Sequence, residues 1–254
     1  MNNRFNGNRY NFNGQYGRDG FNLNTLKSIP LTYIILFINI VIYIVSVGLL
    51  YTSNIDLNQL FGRSNYDIIN GEIWRLVLPI FLHDNTLYTG ILHIAFNSYF
   101  LYVIGIQVEH IFSRKKFLLI YFIAGIFGNI LGFAFSAMNV LSVGASGALM
   151  GLLGAMLYYA LIMKKKGLGT SFLNNILFVI AINLFFGFTR TGIDNMAHIG
   201  GIIGGYFIAR GLGEIGSRAN NQNKQNKIMY IGGLAVVGII LLIIGFSRST
   251  VMFY

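Results

Sequence analysis

The chain is 254 residues long, 55% hydrophobic and only 10% charged, with a mean hydropathy of +0.63. A soluble domain of this size needs far more charge to cover its surface, so the composition points to a membrane protein. The net charge of +10 would suggest a nucleic-acid partner in a soluble protein. Here the basic residues lie between apolar runs and not in one patch, so the expected partner is anionic lipid and no nucleic acid is expected.

Residues 1–29 are rich in Asn and Gly without helical or strand period, and read as a disordered tail. Seven apolar runs follow, at 31–51, 87–105, 117–137, 144–163, 172–188, 196–209 (extended to 213) and 228–246. Most approach the roughly 20 residues that cross the hydrocarbon core. The connection 52–86 is only moderately polar and holds the sole tryptophan, Trp74, which suits a segment lying partly in the outer interface. The expected organisation is all-α: a six-helix membrane unit at 30–213, a polar linker at 214–227, an added seventh helix at 228–246 and a short tail at 247–254.

Orientation follows from the basic residues. Of the 18 Lys and Arg, fourteen fall in the N-terminal tail and the second, fourth and sixth loops, and four on the opposite side. The positive-inside rule then predicts a cytoplasmic N-terminus and an extracytoplasmic C-terminus.

With no cysteine, thiolate catalysis and Cys-ligated metal are excluded. The four histidines form no HExxH pair, so no metal and no cofactor is expected. The predicted topology sets four polar residues at similar depth in the outer half of the bilayer: His93 and Asn97 on the second helix, Ser146 on the fourth and His198 on the sixth. Buried polar groups there must find partners, which suggests that they face one another. Ser146 opens its helix, where backbone N–H groups lack intrahelical partners and the dipole is positive, a suitable place for an oxyanion. The plainer alternative is Ser146 as a helix N-cap.

Small residues bear on that choice. Gly147, Gly151 and Ala155 recur every four residues on the fourth helix; Ala197, Gly201, Gly205 and Ala209 do so on the sixth, doubled by Gly200 and Gly204. Packing one stripe on the other brings a serine hydroxyl within reach of an imidazole. His93 and Asn97 share one helix face and both can donate hydrogen bonds while neutral, so they are candidate oxyanion donors; helix-to-helix packing is the other role open to Asn97. Asp194, four residues before His198, is expected in an exposed loop and helix start, with a dyad favoured over a triad.

These residues resemble those of the rhomboid family of intramembrane serine proteases. The likeness runs over about residues 30–212. The nucleophile motif GxSG reads Gly144-Ala145-Ser146-Gly147, the base motif AHxGGxxxG reads Ala197-His198-Ile199-Gly200-Gly201 with Gly205 last, and HxxxN reads His93 to Asn97. A first-loop Trp-Arg pair matches Trp74-Arg75, and GxxxE matches Gly105 and Glu109. The resemblance implies a serine endopeptidase that cleaves in or near transmembrane segments of membrane-protein substrates, with the alternative of a non-proteolytic, rhomboid-like binding or quality-control factor. It implies that Trp74 and Arg75 fasten the first loop, that Glu109 braces the cytoplasmic end of the second helix, and that the fifth helix with loop 187–195 admits substrate. It also implies a multi-pass protein of a bacterial plasma membrane. Two positions depart from the pattern: Met150 stands where many members carry an aromatic, and Ser113 where a glycine is common.

Overall fold

The structure is a computed structural model that describes residues 29–189, 192–213 and 221–248. The expectations for residues 1–28, 190–191, 214–220 and 249–254 fall outside it. Helix α1 spans Leu31–Ser53, entered through Pro30 and left through Asn54 in the left-handed region. The first loop contains α2 (Leu57–Phe61), strand β1 (Arg63–Ser64), α3 (Asn65–Ile69) and two 3₁₀ turns at Ile73–Leu76 and Leu78–Phe81. Helix α4 runs Leu87–Phe112 and α5 Arg114–Phe135. After β2 (Leu141–Ser142) come α6 (Ser146–Lys165), α7 (Thr170–Thr189), α8 (Asn195–Leu212) and α9 (Asn221–Ser247).

The helical spans follow the apolar runs, with three differences. The α4 helix continues past residue 105 through a π-helical segment, Leu101–Gly105, that no sequence pattern announces. The helix α9 starts inside the polar segment placed before the seventh run. The two strands form a small antiparallel pair, Arg63 opposite Ser142 and Ser64 opposite Leu141, within an otherwise helical fold.

Around an apolar core, the outer helices expose apolar side chains and bury some polar ones. On α1 the buried positions include Thr32, Asn39 and Ser46, while Phe37, Ile44 and Val45 are exposed. The same holds for Phe178 and Phe185 on α7, and for Ile239 and Ile243 on α9. Helices that turn apolar side chains outward are solvated by lipid. Among the described residues, six helices are long and apolar enough to cross a membrane; α8 is not among them. It packs instead against α5 and α6 on two sides and α9 on a third, so little of it meets lipid and its polar residues and glycines carry no penalty there. The chain is a polytopic, all-α membrane protein with a six-helix unit and an additional C-terminal helix.

Backbone contact positions α8. A side chain at Gly201 would run into the Gly147 carbonyl, and one at Gly205 into the Gly151 carbonyl. The second row, Gly200 and Gly204, faces Gly128, Ala124 and Phe127 of α5. The doubled glycine series thus serves two neighbours, one on each face. Of three glycines on α5, Gly128 completes this packing against Ala197, while Gly125 makes room for Ile80 and Ala148 and Gly132 for Arg63. The sequence reading passed over them, although Asn129 shares the face of Gly125 and Gly132.

At the other end of the bundle, Glu109 takes up the first-turn donors of α1. It accepts from Leu31 N at 2.8 Å, Thr32 N at 3.0 Å and Thr32 Oγ1 at 2.9 Å. Gly105, one turn earlier, leaves the room that Thr32 needs. The glycine-glutamate pair is therefore a cap supplied by one helix to the start of another.

Candidate active site

Ser146 and His198 come together where α6 and α8 begin. Ser146 Oγ lies 3.0 Å from His198 Nε2. The cap position of α6 is Ala145, with no side-chain cap bond, so the serine hydroxyl is not used as an N-cap. Gly144 has φ +131, a conformation open to glycine and strained for other residues. It also leaves necessary space: a Cβ there would lie 3.0 Å from His93 Nε2 and 3.7 Å from Ser146 Oγ. The volume beside Gly144 is therefore within reach of the nucleophile candidate and of a donor candidate at once.

The tautomer of His93 follows from its neighbour. Asp84 N donates to His93 Nδ1 at 3.2 Å, so in the neutral ring the proton sits on Nε2, the nitrogen that faces Gly144. Asn97 donates one Nδ2 hydrogen to the His93 carbonyl at 2.9 Å, which leaves its second N–H free to donate elsewhere. Both residues line a cavity of about 260 Å³ together with Ser146, His198, Asn129, Asn183 and Asp194. Behind His93 lies His83, 1% exposed, with ring centroids 5.2 Å apart in an edge-on arrangement. Burial, reinforced by the His93 ring, pushes the His83 pKa down to about 3. The sequence reading gave His83 no role.

Asp194 differs from expectation. It does start the helix, accepting from Ala197 N at 3.1 Å, but it is not exposed: its carboxylate is 7% exposed and paired with Arg63. It also accepts from Ser136 Oγ at 2.9 Å. His198 Nδ1 is buried without a hydrogen-bond partner among the described residues. A Ser-His pair without an orienting carboxylate is what the geometry contains.

In the first loop, Arg75 is buried and donates to the carbonyls of Gln59 at 2.9 Å and Gly62 at 2.7 Å, with Glu72 and Asp67 as its carboxylate partners. Trp74 is exposed beside it. Met150 is buried within the core of α6. Ser113 has φ +81 and ψ 159, a region held almost only by glycine.

The Rhomboid domain model matches residues 70–215, more than half of the chain. The chain belongs to the rhomboid family. Among curated relatives, Rhomboid protease GluP of Bacillus subtilis (strain 168) is 47% identical over 163 residues, covering 64% of this chain and 31% of the relative. Putative rhomboid protease YdcA of the same organism is 33% identical over 145 residues, 57% of this chain and 70% of the relative. Rhomboid protease AarA of Providencia stuartii is 30% identical over 213 residues, 73% of each. The chain thus spans about a third of the first relative's length and nearly three-quarters of the last's. Within the rhomboid fold, the matched stretch contains the second half of the first loop, the cavity and both residues of the Ser146–His198 contact.

Proposed function

We propose that this rhomboid-family chain is an intramembrane serine endopeptidase acting on transmembrane protein substrates. The observation that carries the reading is the 3.0 Å contact between Ser146 Oγ and His198 Nε2 at the wall of a cavity that His93 and Asn97 also line. A scaffold that only bound membrane proteins would have no need of that contact.

In the proposed reaction, Ser146 Oγ attacks a peptide carbonyl carbon in or near a substrate's membrane segment, and His198 Nε2 takes the hydroxyl proton. The negative charge that develops on the carbonyl oxygen is met by His93 Nε2–H, the free Asn97 N–H and the first-turn N–H of Ser146. Collapse of this intermediate breaks the C–N bond, with the proton passing from His198 to the leaving amine. Water then hydrolyses the acyl-enzyme by the same proton route. Residues 30–213 form the catalytic unit in this scheme, with Trp74, Arg75, Glu109, Gly144, Gly147, Gly151, Gly201 and Gly205 shaping it. The N-terminus lies in the cytoplasm and the C-terminus outside, in a bacterial plasma membrane. Water and substrate enter from the outer side, past α7 and loop 187–195.

The test is cleavage of a model transmembrane substrate by purified protein, together with labelling by a fluorophosphonate. Ser146→Ala and His198→Ala should each abolish both while the protein stays folded in detergent. Cleavage by either folded variant near the wild-type rate would refute the dyad.

A further inference from the structure

Ser146 and His198 each begin a helix, and each start is tied to the segment that precedes it. Ser146 follows β2, and β2 is held by pairing with β1, where Arg63 stands opposite Ser142. His198 lies in the first turn of α8. Its N–H donates to the Asp194 carbonyl at 3.1 Å, and Asp194 Oδ1 accepts from Ala197 N. Asp194 thus fixes that turn with both its main chain and its side chain.

The two routes meet in one residue. Arg63 Nη2 donates to Asp194 Oδ2, and the arginine side chain is 0% exposed. Arg63 Nη1 donates to Asn65 Oδ1 at 2.7 Å, and Asn65 Nδ2 donates to the carbonyls of Ser136 and Ala137 just beyond α5. Ser136 returns a bond to Asp194. Gly132 makes the space: a Cβ there would press on the guanidinium.

We propose that Arg63, acting through Asp194, is a positioning residue for the Ser146–His198 contact. Its main chain holds the strand that delivers the serine, and its side chain holds the helix that delivers the histidine. The proposal rests on the dyad reading above. A buried ion pair is a poor device for stability, because desolvation offsets most of its attraction and apolar replacement is often neutral. What a guanidinium fork supplies is a fixed geometry between its partners. Such geometry matters at a reacting pair, where a displacement of about 1 Å can cost on the order of 10²-fold in rate.

Stability and position can be separated by removing both charges together, so that neither is left buried alone. In Arg63→Met/Asp194→Asn, the new amide oxygen still caps Ala197. Wild type, the double variant, Asp194→Asn alone and Ser146→Ala are purified in one detergent. Melting temperature, the rate constant for fluorophosphonate labelling, kcat and KM are measured on each, with rates expressed per folded protein. The double variant should melt within about 5 °C of wild type, keep KM within about twofold, and lose about tenfold or more in both labelling rate and kcat. Should the double variant fail to fold, the single Asp194→Asn, which keeps size and cap, carries the same expectation at about fivefold or more. Wild-type labelling and kcat in either folded variant, or a loss confined to KM, overturns the proposal. Labelling that persists in Ser146→Ala instead overturns the dyad reading beneath it.

Discussion

Helices α8 and α9 lie side by side, and they answer opposite demands. The α9 helix is apolar throughout its membrane-sized part and turns Val236, Ile239 and Ile243 outward. The α8 helix carries His198 and an arginine, is built largely on small residues, and is too polar to register as a span at all. Yet α8 is the more deeply buried of the two, with backbone-to-backbone contact on two faces. Hydropathy in a membrane protein reports exposure to lipid, not centrality. The helix that matters most to the site is the one that looks least like a transmembrane segment.

The largest effect that would test this contrast is at Gly201. A valine there must displace the Gly147 backbone, so Gly201→Val should cost at least about 3 kcal/mol and remove the Ser146–His198 contact. The check is thermal unfolding in detergent, with fluorophosphonate labelling on the same sample. Near-wild-type values would mean that α8 is not keyed by its backbone.

The buried first loop gives the next effect, through pH. His83 is neutral when folded, with a pKa near 3, and takes up a proton near pH 6.5 when unfolded. The unfolded state therefore binds more protons between those values, and stability falls as pH drops below about 6.5. The slope from this group is about 1.4 kcal/mol per pH unit. Replacing it (His83→Phe) should flatten that slope in melts taken from pH 7 to pH 4.5; an unchanged slope would remove His83 as its source.

A smaller gain is expected at the turn between α4 and α5. Ser113 pays for a backbone conformation that glycine adopts freely, so Ser113→Gly should raise stability by about 1 kcal/mol, read as a higher melting temperature. The smallest effect belongs to α9. Nothing lies within 4 Å of a Cβ added at Gly233, so Gly233→Leu should change stability by no more than about 0.5 kcal/mol. A large loss there would show that α9 has a partner on that face.

Much of this could be read from residue order. Ser146 and His198 were legible because each adjoins a glycine stripe, and stripes of matching period predict close packing. Glu109 was singled out only through the family resemblance, as a brace of its own helix, and nothing in its spacing names the α1 donors it meets. The Arg63–Asp194 pair was not legible. Its members are 131 residues apart, Arg63 looks like any basic residue of a polar loop, and Asp194 looks like a helix-capping aspartate in water. Only the fold shows that the loop turns inward. The π-helical segment in α4 was invisible for a related reason: Leu101–Gly105 has the composition of ordinary helix, and only the fold shows α1 and α6 packed beside it.

The doubled glycine row of α8 has one further consequence. A helix that touches its neighbours through side chains can rotate or slide by changing rotamers. One seated on carbonyls on one face and on Cα atoms on the other has no such slack, because turning it drives backbone into backbone. His198 therefore has no withdrawn position reached by rotating its helix as a rod.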